Sequence, residues 1–196
     1  MNKNFVIISH QRTGSNMVRK ALNHHSDIHC GSEILEKENN LDLLLHEMNN
    51  RKKENFCFLL KYDQIENSTK EFLNQYGFKI IHLKRRNKLK SFVSRMIGTG
   101  SNRKVPVVIN IQQAKDTINA ISAYESKIDV WFNQHIKTDL FYEDVVATGK
   151  IPAHIFRFMD VNYQSCMLED YKLNPDNLEQ CVTNYQDVAN SFPEYI

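Results

Sequence analysis

The chain has 196 residues, of which 41% are hydrophobic and 24% charged, which is the composition of an ordinary globular domain. This composition excludes a mostly disordered chain, a collagen-like fibre and a small fold held together by disulfides. Its 25 basic and 23 acidic residues give a net charge of +2, so nothing indicates general nucleic-acid binding and any basic site must be local. No apolar run approaches the roughly 20 residues that span a bilayer.

Cysteine usage and the N-terminal sequence indicate the compartment. Cys30, Cys57, Cys166 and Cys181 are scattered and form no C-x-x-C pair, and the apolar run at 5–8 is too short for a secretory leader. We therefore expect reduced thiols and a cytoplasmic protein. No repeat or Pro/Gly/Ser-rich linker divides the sequence, which predicts a single domain over residues 1–196.

Strands and helices are predicted to alternate along the chain. Apolar runs of strand length lie at residues 5–9, 56–62, 78–83 and 139–142. Apolar residues at helical spacing begin at Met17 and at Leu89, and a third set extends through residues 111–132. This alternation predicts an α/β domain with a mostly parallel central sheet flanked by helices, in which ligands bind beyond the carboxyl ends of the strands.

The C-terminal segment is predicted to be one helix. Asn174 is an N-cap candidate and Pro175 suits the first helical position. A continuous apolar stripe then runs from Leu178 to Phe192.

A polar turn follows the first strand, with the sequence Gln11-Arg12-Thr13-Gly14-Ser15-Asn16. Unpaired amides and the positive end of the following helix form an anion pocket in such turns, most often for phosphate. Arg12 would add a charged fork, and Thr13, Ser15 and Asn16 would add side-chain donors. The turn is not a Walker A loop, because its basic residue precedes the glycine. An ordinary strand-to-helix turn capped by Ser or Thr remains the alternative.

A second basic segment follows the strand at 78–83 and contains Arg85 and Arg86. Cations are unfavourable at the start of a helix, so this placement favours a bound anion as compensation. Arg86 and Ser94 are eight residues apart, and a helix starting near Asn87 would bring the Ser94 hydroxyl back towards the guanidinium. The alternative is a solvated basic helix start.

Four segments, in chain order, resemble motifs of the sulfotransferases. The turn at 11–16 resembles their 5′-phosphosulfate loop, and the Arg86 to Ser94 spacing resembles their 3′-phosphate motif. Phe141-Tyr142-Glu143-Asp144 is similar to the Y-E-D sequence that lies near the adenine in that family, and residues 58–64 resemble the second-strand lysine segment of its bacterial carbohydrate-type members. The match extends from about residue 5 to about residue 192.

The resemblance implies a P-loop-like fold, 3′-phosphoadenosine 5′-phosphosulfate (PAPS) as donor, adenosine 3′,5′-bisphosphate (PAP) as product, and no metal. Residue by residue, the resemblance implies that Arg86 and Ser94 hold the 3′-phosphate and that Tyr142 lies near the adenine of the donor. The residues that hold the 5′ side are Gln11, Arg12, Thr13, Gly14, Ser15 and Asn16.

Sulfuryl transfer to a hydroxyl needs a base beside the acceptor and positive groups around the transferred group. The resemblance and this requirement together point to Glu33 as general base, with Lys61 and Arg12 as electrostatic stabilisers. Asp63 and His10 are the alternative bases. The structural alternatives are a solvated loop glutamate and a surface lysine at a strand end.

We therefore predict a PAPS-dependent sulfotransferase whose acceptor is a hydroxyl of a carbohydrate, a lipid or a small metabolite. A small-molecule or nucleotide kinase and a catalytically silent nucleotide-binding scaffold are the alternatives.

The chain lacks the family's Arg-Lys-Gly loop, for which Lys172 or the Arg103/Lys104 pair would substitute. The long helix from Ile111 offers an exposed face for a homodimer. We interpret the histidines at 24–29 as helix-end polar residues rather than metal ligands.

Overall fold

A computed structural model describes residues 3–37, 40–98, 105–168 and 177–196. The strands of these residues are β1 (Lys3–Ser9), β2 (Ile28–Cys30), β3 (Asn55–Lys61), β4 (Lys79–Lys84) and β5 (Lys137–Phe141). They form one sheet in the order β2-β3-β1-β4-β5. All its strand pairs are parallel, which confirms the predicted parallel sheet. Ser9 pairs with Lys61 on one side and with Leu83 on the other, so the three central strands end at the same level.

Helices cover both faces of the sheet. In chain order they are α1 (Ser15–Asn23), α2 (Leu41–Asn49), α3 (Asn67–Gln75), α4 (Lys88–Ile97), α5 (Ile111–Trp131), α6 (Tyr142–Thr148), α7 (Ala153–Met159), α8 (Leu178–Cys181) and α9 (Tyr185–Ser191). Short 3-10 helices lie at Ile34–Lys37, Tyr62–Gln64 and Pro193–Tyr195. No helix in the described ranges is long and apolar enough to cross a membrane.

Alternate side chains of β1 enter two different cores, because successive residues of a strand face opposite sides of a sheet. Phe5 and Ile7 pack with α1, α6 and α7, whereas Val6 and Ile8 pack with α2, α3 and the end of α5. All four side chains are fully buried. A strand buried on both faces needs a continuous apolar sequence, which explains why β1 could be predicted from residues 5–9.

The prediction of one continuous C-terminal helix is wrong. The segment forms two short helices, α8 and α9, and Val182 between them has an extended backbone that pairs in parallel with Val107. The Val107 N–H donates to the Cys181 carbonyl at 2.8 Å, and the Thr183 N–H donates to the Val107 carbonyl at 2.9 Å. These hydrogen bonds join two distant segments of the chain and replace the bonds that a continuous helix would make. The apolar stripe still packs into a third core, which it shares with α4 and α5. The expected cap at 174–175 lies outside the described residues.

The last strand also ends earlier than predicted. Tyr142 was expected to close β5, but it is the first residue of α6. This places Tyr142, Glu143 and Asp144 on the first turn of a helix at the carboxyl edge of the sheet.

Asn184 is expected to anchor the break between α8 and α9. Its side chain accepts from the Ile109 N–H and donates to the Ile109 carbonyl, both at 2.9 Å. Asn184→Ala removes both bonds and should lower the free energy of unfolding by about 1–3 kcal/mol, as measured by urea denaturation. The matched control is Asn190→Ala on the exposed side of α9, which should change it by less than about 0.5 kcal/mol. Equal losses in the two variants would contradict the anchoring role.

Candidate active site

The turn between β1 and α1 is tightly bent. Arg12 and Gly14 both have left-handed backbones, with φ values of 63° and 89°. The Thr13 hydroxyl donates to the His10 carbonyl at 2.8 Å, and Ser15 begins α1. The strand, polar turn and helix expected from the sequence are therefore present, and the amides of the first helical turn face the carboxyl edge of the sheet, where an anion would be stabilised.

Tyr142 packs directly on this turn. A Cβ atom at Gly14 would lie 2.6 Å from the Tyr142 ring, so only glycine fits there. The Arg85 guanidinium lies over the same ring, 4.4 Å from its centroid, and donates to the Arg12 carbonyl at 3.3 Å. Tyr142 thus covers the glycine of the turn; its proximity to an adenine stays a prediction.

Lys61 is the centre of the site. It ends β3, its side chain is only 5% exposed, and its Nζ lies 3.1 Å from Glu33 Oε1. The same ammonium donates to the hydroxyls of Ser15 at 2.5 Å and Ser9 at 3.4 Å. The structure therefore brings together Glu33, Lys61 and Ser15, which the sequence analysis selected separately, and adds Ser9, which it did not select. A buried ammonium needs such partners, because burial without them would be costly.

Arg12 connects the turn with α4. Its Nε donates to the Ser94 hydroxyl at 3.2 Å, across 82 residues of chain. The residue expected at the 5′ side therefore touches a residue expected at the 3′-phosphate. The two predicted anion sites are neighbours at one edge of the sheet.

Arg86 is held by acidic residues of α6. Its guanidinium forms a fork with Asp144, with distances of 2.6 and 3.0 Å, and lies over the Phe141 ring at 4.2 Å. This hydrogen bonding to Arg86 lowers the pKa of Asp144 below its ordinary value. The Glu143 carboxylate accepts the backbone N–H groups of Arg86 and Asn87 at 3.0 and 3.1 Å.

These two carboxylates offset the positive charge at the start of α4, where cations are unfavourable. A bound anion was expected as compensation for the two arginines, but within the described residues Glu143 and Asp144 already supply negative charge there. Neither of these roles of Glu143 and Asp144 was predicted from the sequence. The available signal was that parallel strands β4 and β5 end at the same edge, which places the residues after Phe141 beside those after Lys84.

The two alternative bases lie at the same edge. The Gln11 amide contacts Asp63 Oδ2 at 3.4 Å, and His10 Nδ1 lies 2.8 Å from the Gln11 carbonyl. Burial lowers the pKa of His10 from its ordinary value, which favours the neutral imidazole. Asn16 is exposed on the first turn of α1. The substitutes considered for the missing Arg-Lys-Gly loop, at 103–104 and 172, lie outside the described residues.

No group of three or more His, Cys, Asp or Glu side chains among the described residues could hold a metal ion. In the segment at 24–29, His25 is buried and uses both ring nitrogens in the protein itself. Its Nδ1 accepts the Asp27 N–H at 3.0 Å, and its Nε2 lies 2.9 Å from the Asn162 carbonyl.

Three solved structures with a similar fold are sulfotransferases. They include mouse sulfotransferase SULT7A1 complexed with PAP, with TM-score 0.55, 14% identity, and coverage of 84% of this chain and 61% of that one. A sulfotransferase from Alicyclobacillus acidocaldarius has TM-score 0.59 and 14% identity, and the match covers 98% of this chain and 95% of that one. The sulfotransferase domain from the curacin biosynthetic pathway has TM-score 0.56 and 14% identity, and the match covers 82% of this chain and 75% of that one.

At this level of identity the likeness establishes the fold, which is that of the sulfotransferases. The chain spans 61% of the length of the mouse protein and nearly the whole of the Alicyclobacillus one. No family model matches the sequence, and no curated protein gives a significant match.

The contact between Gly14 and Tyr142 gives a test of the turn. Gly14→Ala should be clearly more destabilising than Gly77→Ala, since both glycines have positive φ but only the first would clash with a ring. We expect about 1 kcal/mol for Gly77→Ala and at least about 2 kcal/mol for Gly14→Ala in urea unfolding. Adding Tyr142→Ala to Gly14→Ala should recover part of the difference. Equal losses at the two glycines would show that Tyr142 does not pack on the turn.

Proposed function

We propose that the protein is a sulfotransferase that moves the sulfuryl group of PAPS to an acceptor hydroxyl. The observation that carries the proposal is the buried Lys61 ammonium, which contacts Glu33 and Ser15 beneath the turn that follows β1. A base, a cation and a phosphate-type turn thus meet at the carboxyl edge of a sheet with the sulfotransferase fold. These are the groups that sulfuryl transfer requires.

The residues present fit the donor. The turn amides, Arg12 and the hydroxyls of Thr13 and Ser15 suit the 5′ side, with Gln11, Gly14 and Asn16 in the same turn. We assign the 3′-phosphate to Arg86 and to Ser94, whose hydroxyl accepts from Arg12 Nε, and the adenine to the side of the turn that Tyr142 covers. A mouse neighbour with this fold was solved with PAP, which supports the same nucleotide class here.

The donor supplies an activated sulfuryl group, and the chain supplies the base and the positive charge. Lys61 engages Glu33 Oε1, so we assign the acceptor proton to Oε2. The acceptor oxygen forms the new bond to sulfur as the bond to the 5′-phosphate oxygen breaks. Arg12, Lys61 and the turn amides stabilise the charge that develops on the leaving bisphosphate. Positioning and electrostatics then provide most of the catalysis, as in phosphoryl transfer.

The acceptor class in this proposal is a hydroxylated carbohydrate, lipid or small metabolite. The location that we propose is the cytoplasm. All four cysteines are buried and free, which fits a reducing compartment.

Donor binding can be measured by calorimetry with PAP, adenosine 5′-monophosphate (AMP) and ATP with magnesium. The wild type should prefer PAP. Arg12→Ala should weaken both PAP and AMP by about tenfold or more, because charge-assisted hydrogen bonds are lost. Arg86→Ala should weaken PAP selectively, and Arg157→Ala on the exposed side of α7 should change neither. Preference for ATP with magnesium would favour a kinase, and binding of no nucleotide would contradict both enzyme assignments.

The role of Glu33 can be separated from donor binding. Glu33→Gln should lower kcat by about 10²–10⁴-fold while PAP affinity stays near wild type, because the loss of a general base affects the chemical step. The assay is transfer of labelled sulfate from PAPS to a panel of hydroxylated acceptors. Glu54→Gln, at the amino end of the sheet, is the matched control and should retain full activity. Full turnover by Glu33→Gln would exclude this base and direct attention to Asp63→Asn and His10→Gln.

A further inference from the structure

The fork between Arg86 and Asp144 bears on how the donor is recognised. We propose that Asp144 is a specificity-determining residue that opposes the 3′-phosphate, because it occupies the Arg86 guanidinium that this phosphate would use. The inference rests on the proposed function, in which Arg86 recognises a nucleoside 3′,5′-bisphosphate.

The guanidinium is engaged from several directions. Asp144 accepts from Nη1 and Nη2, and the Phe141 ring covers one face. The main chain of the same residue is fixed as well, because Glu143 accepts the Arg86 N–H. Arg86 therefore cannot swing freely towards a new anion while it keeps its fork with Asp144.

A phosphate meets Asp144 in either of two ways. It can take the two Nη donors, in which case the carboxylate loses both of its charge-assisted bonds. Alternatively it can use the remaining guanidinium protons and sit close to a full negative charge, which is repulsive. In both cases the Asp144 carboxylate weakens the binding of any ligand that carries a 3′-phosphate.

The fork is exposed, and this exposure limits the effect. The side chains of Arg86 and Asp144 are 50% and 48% exposed, so water replaces the lost partner of whichever group is released. Ion pairs of this kind contribute little, so a phosphate dianion can still displace one carboxylate. Donor and product both carry the 3′-phosphate, so Asp144 also favours release of the product.

A ligand without a 3′-phosphate leaves the fork intact. The Asp144 effect should therefore appear for PAP and not for AMP, and it should require Arg86. A carboxylate that instead oriented Arg86 for the phosphate would have the opposite sign, with PAP affinity falling when the charge is removed.

The test is calorimetric titration of PAP and AMP into the wild type and Asp144→Asn, alone and with Arg86→Ala. Asp144→Asn keeps the shape of the side chain, and Asp116→Asn on the exposed side of α5 is the matched control for loss of one negative charge. We expect Asp144→Asn to bind PAP about two- to fivefold more tightly, with AMP unchanged. The gain should be absent in the Arg86→Ala background and in Asp116→Asn.

Several results would overturn the inference. These are an unchanged or lower PAP affinity in Asp144→Asn, an equal gain for AMP, and a gain that persists without Arg86. If the wild type prefers PAP through Arg86 while Asp144→Asn shows no gain, the inference fails and the proposed function stands. If the wild type does not prefer PAP over AMP at all, the proposed function fails and the inference fails with it.

Discussion

The buried ammonium of Lys61 is the contact on which the arrangement of the site depends. An ammonium removed from water needs anionic or polar partners, and here they come from three separate parts of the chain: the end of β1, the start of α1 and the segment after β2. The strand register pairs Ser9 with Lys61, so the Lys61 side chain lies beside the turn that follows β1 and can reach partners from all three parts of the chain. Glu33 contacts the same ammonium through Oε1.

A second charge balance organises the other half of the site. At the end of β4, the Arg86 guanidinium pairs with Asp144 of α6, and Glu143 accepts the backbone N–H of Arg86. The Arg85 guanidinium instead reaches the turn between β1 and α1, where it donates to the Arg12 carbonyl. Acidic residues suit the first turn of a helix, so Glu143 and Asp144 are stable where they stand and also correct the unfavourable basic start of α4. The contact of Arg12 with Ser94 then links the two halves.

The sequence predicted β1, β3, β4 and most of β5 from apolar runs of strand length, and α1, α4 and α5 from apolar residues at helical spacing. The mostly parallel sheet followed from the alternation of these elements. β2 was missed because three residues carry too little pattern, and the C-terminal helix was predicted too long because an apolar stripe cannot reveal the pairing of Val182 with Val107. Lys61 and Glu33 could be chosen from motif and chemistry. Their contact could not, since it depends on the order of the strands.

That strand order also governs when the site can form during synthesis. β1 lies in the middle of the sheet, between β3 and β4, although it precedes the other four strands of this sheet in the sequence and is synthesised before them. Its partners follow only after about fifty and about seventy-five residues of further chain, so closure of these long loops precedes any site, and non-local pairing of this kind is intrinsically slow. The apolar β1 segment is therefore exposed until β3 and β4 have been synthesised, and a chaperone that shields it would raise the yield of folded protein.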